Sequence, residues 1–301
     1  MHFHMALQPS DNSTPATKGQ VFFTRLFSTV LLWALILGAF GWRNEVLFAL
    51  IPAVFGMATC VEFYRLVLAG VASKPHRRLG IAVALAYVAG GLWYVLAHHH
   101  ALPVSYDVAA LVVTLHLAFA LVYRQVLDGQ QTLWRVFATV FGVLYTVVCF
   151  GFLVRLIHVG AEPLQGRFLM LYLIMVTKFT DMGAYAIGSL FGKHKMIPHI
   201  SPAKSWEGFV GAFIGGFSAA ALMLWLVPEQ LAPLTWTTGL VCVPLLTLIA
   251  VSGDLAESVI KRCTAIKDSG HALPGIGGVL DLTDSLLFTA PVFYGYLACL
   301  R

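Results

Sequence analysis

The stretch TGLVCVPLLTLIAVSGDLAESVIKR, residues 238–262, joins an uncharged apolar run to a short series of carboxylates and cations. Apolar side chains follow one another over residues 238–251 without alternating with polar ones, which favours a helix over a half-buried strand. After this run, Asp254, Glu257 and Lys261 follow at spacings of three and four. One face of a continuing helix would present these three side chains together.

The composition is that of an integral membrane protein, because 59% of the 301 residues are hydrophobic and only 11% are charged. The mean hydropathy of +0.82 is far above the range of soluble domains. Apolar runs that could cross a hydrocarbon core about 30 Å thick recur along the chain. They cover residues 22–40, 46–69, 79–97, 108–122, 133–156, 168–187, 209–227, 238–251 and 283–300. These runs predict an all-α, polytopic membrane protein with about nine transmembrane helices.

The Lys and Arg residues predict the orientation of these helices. If the N-terminus is cytoplasmic, the outside segments hold only Arg43, Arg155, Arg167 and Arg301, and most other cations lie inside. The positive-inside rule therefore favours a cytoplasmic N-terminus. The net charge of +5 is then explained by topology and by attraction to anionic membrane lipids, so nucleic acid is not a predicted partner.

Three regions are predicted along the chain. Residues 1–20 are polar and read as a disordered cytoplasmic tail. Residues 21–165 form a set of N-terminal transmembrane helices, and residues 166–301 form a C-terminal catalytic transmembrane region with cytoplasmic loops. The runs 108–122 and 238–251 are short, so either could be tilted, re-entrant or extended by flanking polar residues.

Two polar loop segments, residues 178–208 and 253–284, fall on the same cytoplasmic side and predict one shared site. In the second segment, the cations Lys261, Arg262 and Lys267 suit phosphate oxygens. The Gly- and Pro-rich residues 270–278 could bring backbone N–H groups close to a phosphate. Asp281 and Asp284, spaced by three, offer the hard oxygen ligands that Mg²⁺ prefers.

Structural explanations remain open for each of these features taken alone. Cations beside membrane spans are most often topology signals, Gly-Pro loops are most often turns, and acidic residues at a helix start favour its dipole.

The first segment contributes a charged pair and a possible phosphate site. Lys178 and Asp181 are spaced by three near the end of an apolar run, which allows an ion pair at membrane depth. Ser201 and Lys204 could bind phosphate, although Ser201 could equally cap a helix. Glu62 and Arg65, also spaced by three, are interpreted as a structural pair.

Residues 258–284 resemble the signature of phosphatidate cytidylyltransferases, also called CDP-diacylglycerol synthases. That signature has Ser-x-x-Lys-Arg, then Lys-Asp, then a Gly/Pro loop ending in His-Gly-Gly-x-x-Asp-Arg-x-Asp. The matching positions here are Ser258, Lys261, Arg262, Lys267, Asp268, Pro274, Gly277, Gly278, Asp281 and Asp284. A second group resembles the family's Asp-x-x-Ala-Tyr, Phe-Gly-Lys and Ser-Pro-x-Lys-x-x-Glu-Gly elements, at Asp181, Tyr185, Lys193, Ser201, Pro202, Lys204, Glu207 and Gly208.

The resemblance implies that the protein transfers CMP from CTP to phosphatidic acid, giving CDP-diacylglycerol and pyrophosphate. It implies catalytic roles for Lys261, Arg262, Lys267, Asp268 and Asp284. Substrate-binding roles would fall to Asp181, Ser201, Lys204, Ser258, Gly277 and Gly278, and Mg²⁺ ligands would be Asp254, Asp281 and Asp284. It also implies a homodimer, a monovalent cation such as K⁺ near the Mg²⁺, and a bacterial inner membrane with the site facing the cytoplasm.

Two positions depart from the family signature, because Ile276 replaces its His and Leu282 replaces its Arg. His271 is a candidate substitute for the missing His. Three alternatives stay open: another CTP-using lipid enzyme such as a polyprenol or dolichol kinase, a paralogue that has lost activity, and a transporter with Lys178 and Asp181 in its pathway.

Overall fold

The helical architecture is seen in a computed structural model, which describes residues 30–31, 33–39, 41, 45–70, 74–98, 100, 101–160, 162–266, 270 and 277–300. The residues of 30–41 that it describes are helical. The later elements are α1 (Glu45–Gly70), α2 (Arg77–His98), α3 (Val104–Val122), α4 (Gln130–Val143), a π-helical turn (Leu144–Val148), α5 (Cys149–Leu156), α6 (Pro163–Phe191), strands β1 (Lys195–Ile197) and β2 (Ser201–Ser205), α7 (Trp206–Leu226), α8 (Trp236–Cys263) and α9 (Val279–Cys299). The predicted all-α class is confirmed, with one short antiparallel hairpin between α6 and α7.

Six helices of the described chain are long and apolar enough to cross a membrane. They are Val46–Gly70, Arg77–His98, Val104–Val122, Gln130–Leu156, Trp206–Leu226 and Trp236–Cys263. The predicted runs 168–187 and 283–300 coincide with α6 and α9, which carry the charged residues Lys178, Asp181, Asp281 and Asp284. The two short runs are extended by flanking residues, since α3 begins at Val104 and α8 covers Trp236–Cys263.

The two polar segments are not simply loops, which corrects the sequence interpretation. Residues 178–191 form the last turns of α6, and residues 253–263 form the last turns of α8. Helix continues through these polar residues because they keep the spacing of three and four that places them on one face. The site side chains are therefore fixed to rigid helices.

Glycines allow α6 and α7 to pack closely as an antiparallel pair. A Cβ atom on Gly183 would lie 2.2 Å from the carbonyl oxygen of Gly211, and one on Gly215 would lie 2.0 Å from that of Phe179. Any side chain at these two positions would push the helices apart. The contact holds the polar end of α6 next to the hairpin and the start of α7.

The main buried core includes residues of every helix from α1 to α9 except α3, among them Phe63, Leu153 and Phe293, and a smaller cluster joins α3 to α4. Some polar groups inside the main core are paired across helices; for example, the Tyr172 hydroxyl on α6 donates to the carbonyl of Gly239 on α8, at 2.7 Å. Such pairing is needed because an unsatisfied polar group is costly in an apolar interior.

Arg155 was assigned by its sequence position to an outside segment, which stays a prediction, but the structure shows that its side chain is not exposed. Its side chain is fully buried in α5, where a guanidinium nitrogen lies 2.7 Å from an Asp107 carboxylate oxygen. The Arg155 Nε also donates to the carbonyl of Leu102, and the Tyr87 hydroxyl donates to the same Asp107 oxygen at 2.7 Å. We call Arg155 and Asp107 the far-end ion pair, because they lie at the end of the helices opposite to the polar last turns of α6 and α8.

Candidate active site

Three carboxylates from α8 and α9 meet at the polar ends of these helices. One oxygen from each of Asp254, Glu257 and Asp284 lies within 4.8 Å of the other two. Glu257 and Asp284 are buried, with 2% and 6% of their surface exposed. Gly253 permits this approach of the helices, because a Cβ atom there would lie 2.8 Å from the Asp284 carbonyl oxygen.

The donors of this carboxylate trio (Asp254, Glu257 and Asp284) suit a hard divalent cation. Carboxylate oxygens are the protein ligands of Mg²⁺, and three of them at this spacing can converge on one ion. The sequence interpretation predicted Asp254, Asp281 and Asp284 as ligands and did not include Glu257. The signal for Glu257 was available in its spacing of three from Asp254.

Two lysines bracket the trio. The Lys204 Nζ lies 3.0 Å from an Asp254 carboxylate oxygen. The Lys261 Nζ lies 2.9 Å from oxygens of both Glu257 and Asp281. These ammonium groups neutralise part of the carboxylate charge and point toward the same region, where they could also meet phosphate oxygens.

Asp281 has a different environment from the trio. Its carboxylate accepts a hydrogen bond from the Lys261 ammonium. It accepts another, at 2.9 Å, from the backbone N–H of Gly278 at the start of α9. Gly277 adopts a φ of 123°, and a Cβ atom there would lie 2.5 Å from an Asp281 oxygen. The structure thus uses Asp281 to hold Lys261 and the turn before α9, and it does not bring this residue into the trio. Its assignment as a metal ligand stays a prediction.

The predicted Lys178–Asp181 ion pair is confirmed on α6. The Lys178 Nζ lies 3.1 Å from an Asp181 oxygen, and it also donates to the Leu282 carbonyl at 2.7 Å. The Ser285 hydroxyl donates to the other Asp181 oxygen at 3.2 Å. These contacts fasten α6 to α9 on both sides of Asp284.

The hairpin places Ser201 and Lys204 beside the helices. Ser201 lies in β2 opposite Ile197, so its interpretation as a helix cap is wrong. The cap of α7 is Ser205, whose hydroxyl oxygen accepts the N–H of Gly208 at 3.1 Å. Sequence alone could not choose between two serines four residues apart, because the choice depends on where the strand ends.

Glu207 and Arg262 hold the hairpin in place. The Glu207 carboxylate accepts the backbone N–H groups of Lys193 and His194, each at 3.2 Å. The Arg262 Nε donates to the Ile200 carbonyl at 3.2 Å, which connects the end of α8 to the hairpin turn. The Arg262 side chain is exposed at the same end of the molecule as Lys261.

Glu62 was interpreted as paired with Arg65, but the structure gives it another partner. The buried Glu62 carboxylate accepts the backbone N–H of Leu280 in the first turn of α9, at 2.8 Å. One turn earlier on α1, the Thr59 hydroxyl lies 3.0 Å from that of Thr283. Glu62 is therefore structural, as expected, and it positions the helix that carries Asp281 and Asp284.

The other predicted site residues divide into two groups. Ser258 is half-buried on α8, directly after Glu257, and Gly277 and Gly278 precede α9. Lys267 and Asp268 lie outside the described residues, as do His271, Pro274 and Ile276.

An apolar cavity of about 300 Å³ opens beside the ion pair of α6. Its polar end is formed by Lys178, Asp181 and Thr283. The walls are apolar side chains from several helices, including Ile36, Phe48, Ile51, Phe55, Met170, Ile174 and Leu286. An apolar space that ends on an ammonium group fits a molecule with a hydrocarbon body and an anionic head.

A model of the cytidylyltransferase family matches residues 23–300 of the chain. The chain belongs to the cytidylyltransferase family. The match covers both the carboxylate-bearing helices and the N-terminal helices, whose likeness was predicted only as a set of spans.

Several curated proteins are similar to part of this chain. A Haemophilus influenzae protein named Phosphatidate cytidylyltransferase is 41% identical over 140 residues, which cover 46% of this chain and 49% of that protein. A Staphylococcus haemolyticus protein of the same name is 43% identical over 128 residues, covering 42% and 48%. An Escherichia coli protein named Uncharacterized protein YnbB is 35% identical over 176 residues, covering 58% of each. The chain spans about half the length of the curated relatives it matches.

The chain departs from the signature of the cytidylyltransferase family at two positions. Of these two, the structure describes Leu282. Leu282 lies between Asp281 and the trio member Asp284, and it lines the apolar cavity. Its backbone carbonyl accepts the Lys178 ammonium, a contact that does not depend on the side chain. Replacing the signature Arg by Leu therefore makes this part of the cavity wall apolar while the backbone contact remains.

Proposed function

We propose that this protein is a phosphatidate cytidylyltransferase. An oxygen of the phosphatidate phosphate attacks the α-phosphorus of CTP and forms a new P–O bond. The bond between the α-phosphorus and the oxygen that bridges to the β-phosphorus breaks, and its electron pair leaves with pyrophosphate. The product is CDP-diacylglycerol.

The observation that carries this proposal is the carboxylate trio with a lysine on each side, in a chain of the cytidylyltransferase family. The attacking phosphate is already ionised near neutral pH, so the reaction needs little general-base help. It needs charge neutralisation and in-line positioning of two polyanions. Fixed ammonium groups and a metal site on rigid helices supply both.

Asp254, Glu257 and Asp284 would hold Mg²⁺, and Asp281 remains a proposed additional ligand. The chemistry that a metal ion held by these residues would supply is positive charge to offset that of the substrate phosphates. When substrate binds, the ammonium groups of Lys204 and Lys261 would exchange some of their contacts with carboxylate oxygens for contacts with phosphate oxygens. A monovalent cation such as K⁺ near this site stays a proposal on the family resemblance alone.

The apolar cavity supports phosphatidate as the lipid substrate. Acyl chains would lie along its walls, and the anionic phosphate would meet Lys178 at its polar end. From there the phosphate would be next to Ser285 and Asp284 on α9. CTP would approach from water, past the exposed Arg262 and the hairpin residues Ser201 and Lys204. The backbone of Gly277 and Gly278 and the Ser258 hydroxyl are proposed to contact its phosphates.

We also propose the finer membrane arrangement. The helical residues within 30–41, together with α1–α9, support nine spans when α4, the π-helical turn and α5 are counted as one helix. The excess of Lys and Arg at the site end supports a cytoplasmic site and N-terminus in a bacterial inner membrane. A homodimer is proposed on the family resemblance.

Purified protein with phosphatidic acid and CTP labelled on its α-phosphate tests the function. We expect Mg²⁺-dependent appearance of label in CDP-diacylglycerol, with one pyrophosphate released for each lipid. Label that reaches no lipid, together with phosphorylation of an added polyprenol or dolichol, would instead identify a CTP-dependent lipid kinase.

A member of the family that lacks activity is the second candidate, because Leu282 and Ile276 replace the signature Arg and His. The double substitution Leu282→Arg with Ile276→His separates the two cases. If the native chain is inactive and the double variant gains activity, the native protein has lost catalysis. We expect the native chain to be active, because the carboxylates and Lys261 keep their contacts without these two side chains.

A further inference from the structure

A basic groove lies apart from the carboxylate trio, at the same end of the helices. Its volume is about 930 Å³, and it is formed where α1 ends, α2 begins and α3 ends. Gly70, the last residue of α1, sits against Thr264 just after α8, since a Cβ atom on Gly70 would lie 2.2 Å from the Thr264 carbonyl oxygen. The groove therefore opens on the same membrane surface as the site, although residues of α8 and α9 do not line it.

The groove combines cations with an apolar wall. Lys74, Arg77 and Arg78 line it, and the described chain contains no carboxylate within salt-bridge distance of any of the three. Apolar side chains from each of the three helices complete the lining, namely Leu68, Ile81 and Leu121. Positive charge beside an apolar surface at a membrane boundary is complementary to an anionic headgroup with its attached chains.

The local charge is not balanced from the neighbouring helix. Arg135 on α4 is paired with Asp128, which removes that carboxylate as a partner for the groove cations. His76 lies between Lys74 and Arg77, and its pKa is lowered by burial and by the charge of Arg135. His76 is thus neutral at neutral pH, and the positive charge of the groove comes from lysine and arginine.

We propose that this groove binds the headgroup phosphate of an anionic membrane phospholipid, with Lys74, Arg77 and Arg78 around the phosphate and an acyl chain along Leu68, Ile81 and Leu121. The site is separate from the catalytic one and does not rest on the proposed reaction. A topology signal alone would require cations on this surface, but it would not require them to share a groove with an apolar wall.

Binding of phosphatidylglycerol to the detergent-purified full-length protein, measured by native mass spectrometry, tests this site. Phosphatidylcholine with the same acyl chains is the lipid control, and inorganic phosphate is the soluble competitor. We expect preferential retention of phosphatidylglycerol, weakened by salt because the attraction is electrostatic. Equal retention of both lipids, or displacement by millimolar phosphate, would overturn the proposal of a lipid site.

The double variant Lys74→Gln with Arg78→Gln removes two exposed groove charges. Its matched control, Lys193→Gln with Lys195→Gln, removes two exposed charges at the hairpin, on the same side of the protein. At about fivefold for each charge, we expect the groove variant to lose about 25-fold in phosphatidylglycerol affinity and the control to lose little. An equal loss of phosphatidylglycerol affinity in both variants would show that the lipid is attracted by a diffuse positive surface, and it would contradict the proposal. The single variant Lys74→Gln, with an expected loss of about fivefold, keeps the test valid if the double variant does not fold.

Discussion

Two groups of charged side chains lie at opposite ends of the helical protein, on different helices, and they differ in balance. The far-end ion pair has one guanidinium for one carboxylate and is enclosed by the core. The site cluster has five carboxylates and three lysines, so its carboxyl groups outnumber its ammonium groups by two. Its carboxylates are Asp181, Asp254, Glu257, Asp281 and Asp284, and its lysines are Lys178, Lys204 and Lys261.

The two groups are well separated along the helices. α6 begins beside Ile157, close to Arg155, since a Cβ atom on Gly166 would lie 2.0 Å from the Ile157 carbonyl oxygen. From Gly166 to Lys178 the helix rises by about 18 Å. A balanced, enclosed pair contributes to the fold, whereas an unbalanced cluster beside a cavity has unused capacity for a cation. This difference can be tested by substitution.

The largest expected effect is on stability at the far end. Arg155→Met leaves the Asp107 carboxylate buried without its cation, and we expect it to lower the free energy of unfolding by about 3–5 kcal/mol. Thermal unfolding in detergent measures this loss. Arg155→Met combined with Asp107→Leu should restore most of the stability, because an apolar pair has no charge to compensate. A double variant as unstable as the single one would contradict a purely structural role.

Asp284→Asn should reduce CDP-diacylglycerol formation by about 10²–10³-fold, because it removes a charged ligand from the carboxylate trio. The asparagine is nearly isosteric, so thermal stability in the absence of Mg²⁺ should not fall. The stabilisation that Mg²⁺ gives to the native protein should be weaker in the variant. Unchanged Mg²⁺ stabilisation would exclude Asp284 as a ligand. The same pair of measurements on Asp281→Asn decides whether Asp281 belongs with the trio or only holds Lys261.

Lys261→Gln should lower kcat by about 10–100-fold, since it removes a cation that would neutralise phosphate charge. The apparent affinity for Mg²⁺ should be unchanged or tighter, because the lysine competes with the metal for the Glu257 and Asp281 oxygens. Steady-state kinetics at varied Mg²⁺ concentration separates these quantities. Weaker Mg²⁺ binding with unchanged kcat would place Lys261 in a structural role like that of Arg155.

The smallest expected effect concerns Glu62, which supports the site without belonging to the site cluster. Glu62→Ala leaves the Leu280 N–H without its acceptor, and we expect a loss of about 1–2 kcal/mol in stability. Glu62→Gln keeps a carbonyl acceptor and should lose less. Activity per folded molecule should fall only modestly in both variants, as measured on samples corrected for the folded fraction. A loss as large as that of Asp284→Asn would mean that Glu62 contacts substrate.

Local patterns in the sequence predicted two arrangements that the structure confirms. The spacing of three between Lys178 and Asp181 predicted their ion pair, and the spacing along residues 254–261 predicted one polar helix face. These interactions are local, so the helical repeat alone places the side chains together. The partners of Glu62 and Arg155 were not predicted, because Leu280 and Asp107 are 218 and 48 residues away along the chain.

The sequence by itself determined the class of protein and the chemistry of its polar groups. Long apolar runs must form helices in a membrane, and a Ser-to-Asp signature with lysines predicts phosphate and metal chemistry. Only the tertiary structure decided which carboxylates converge, because Asp254, Glu257 and Asp284 meet through the close packing of α8 and α9 at Gly253. It also decided that Arg155 is buried and that Asp281 holds the start of α9, since burial and pairing depend on neighbours that are distant in the chain.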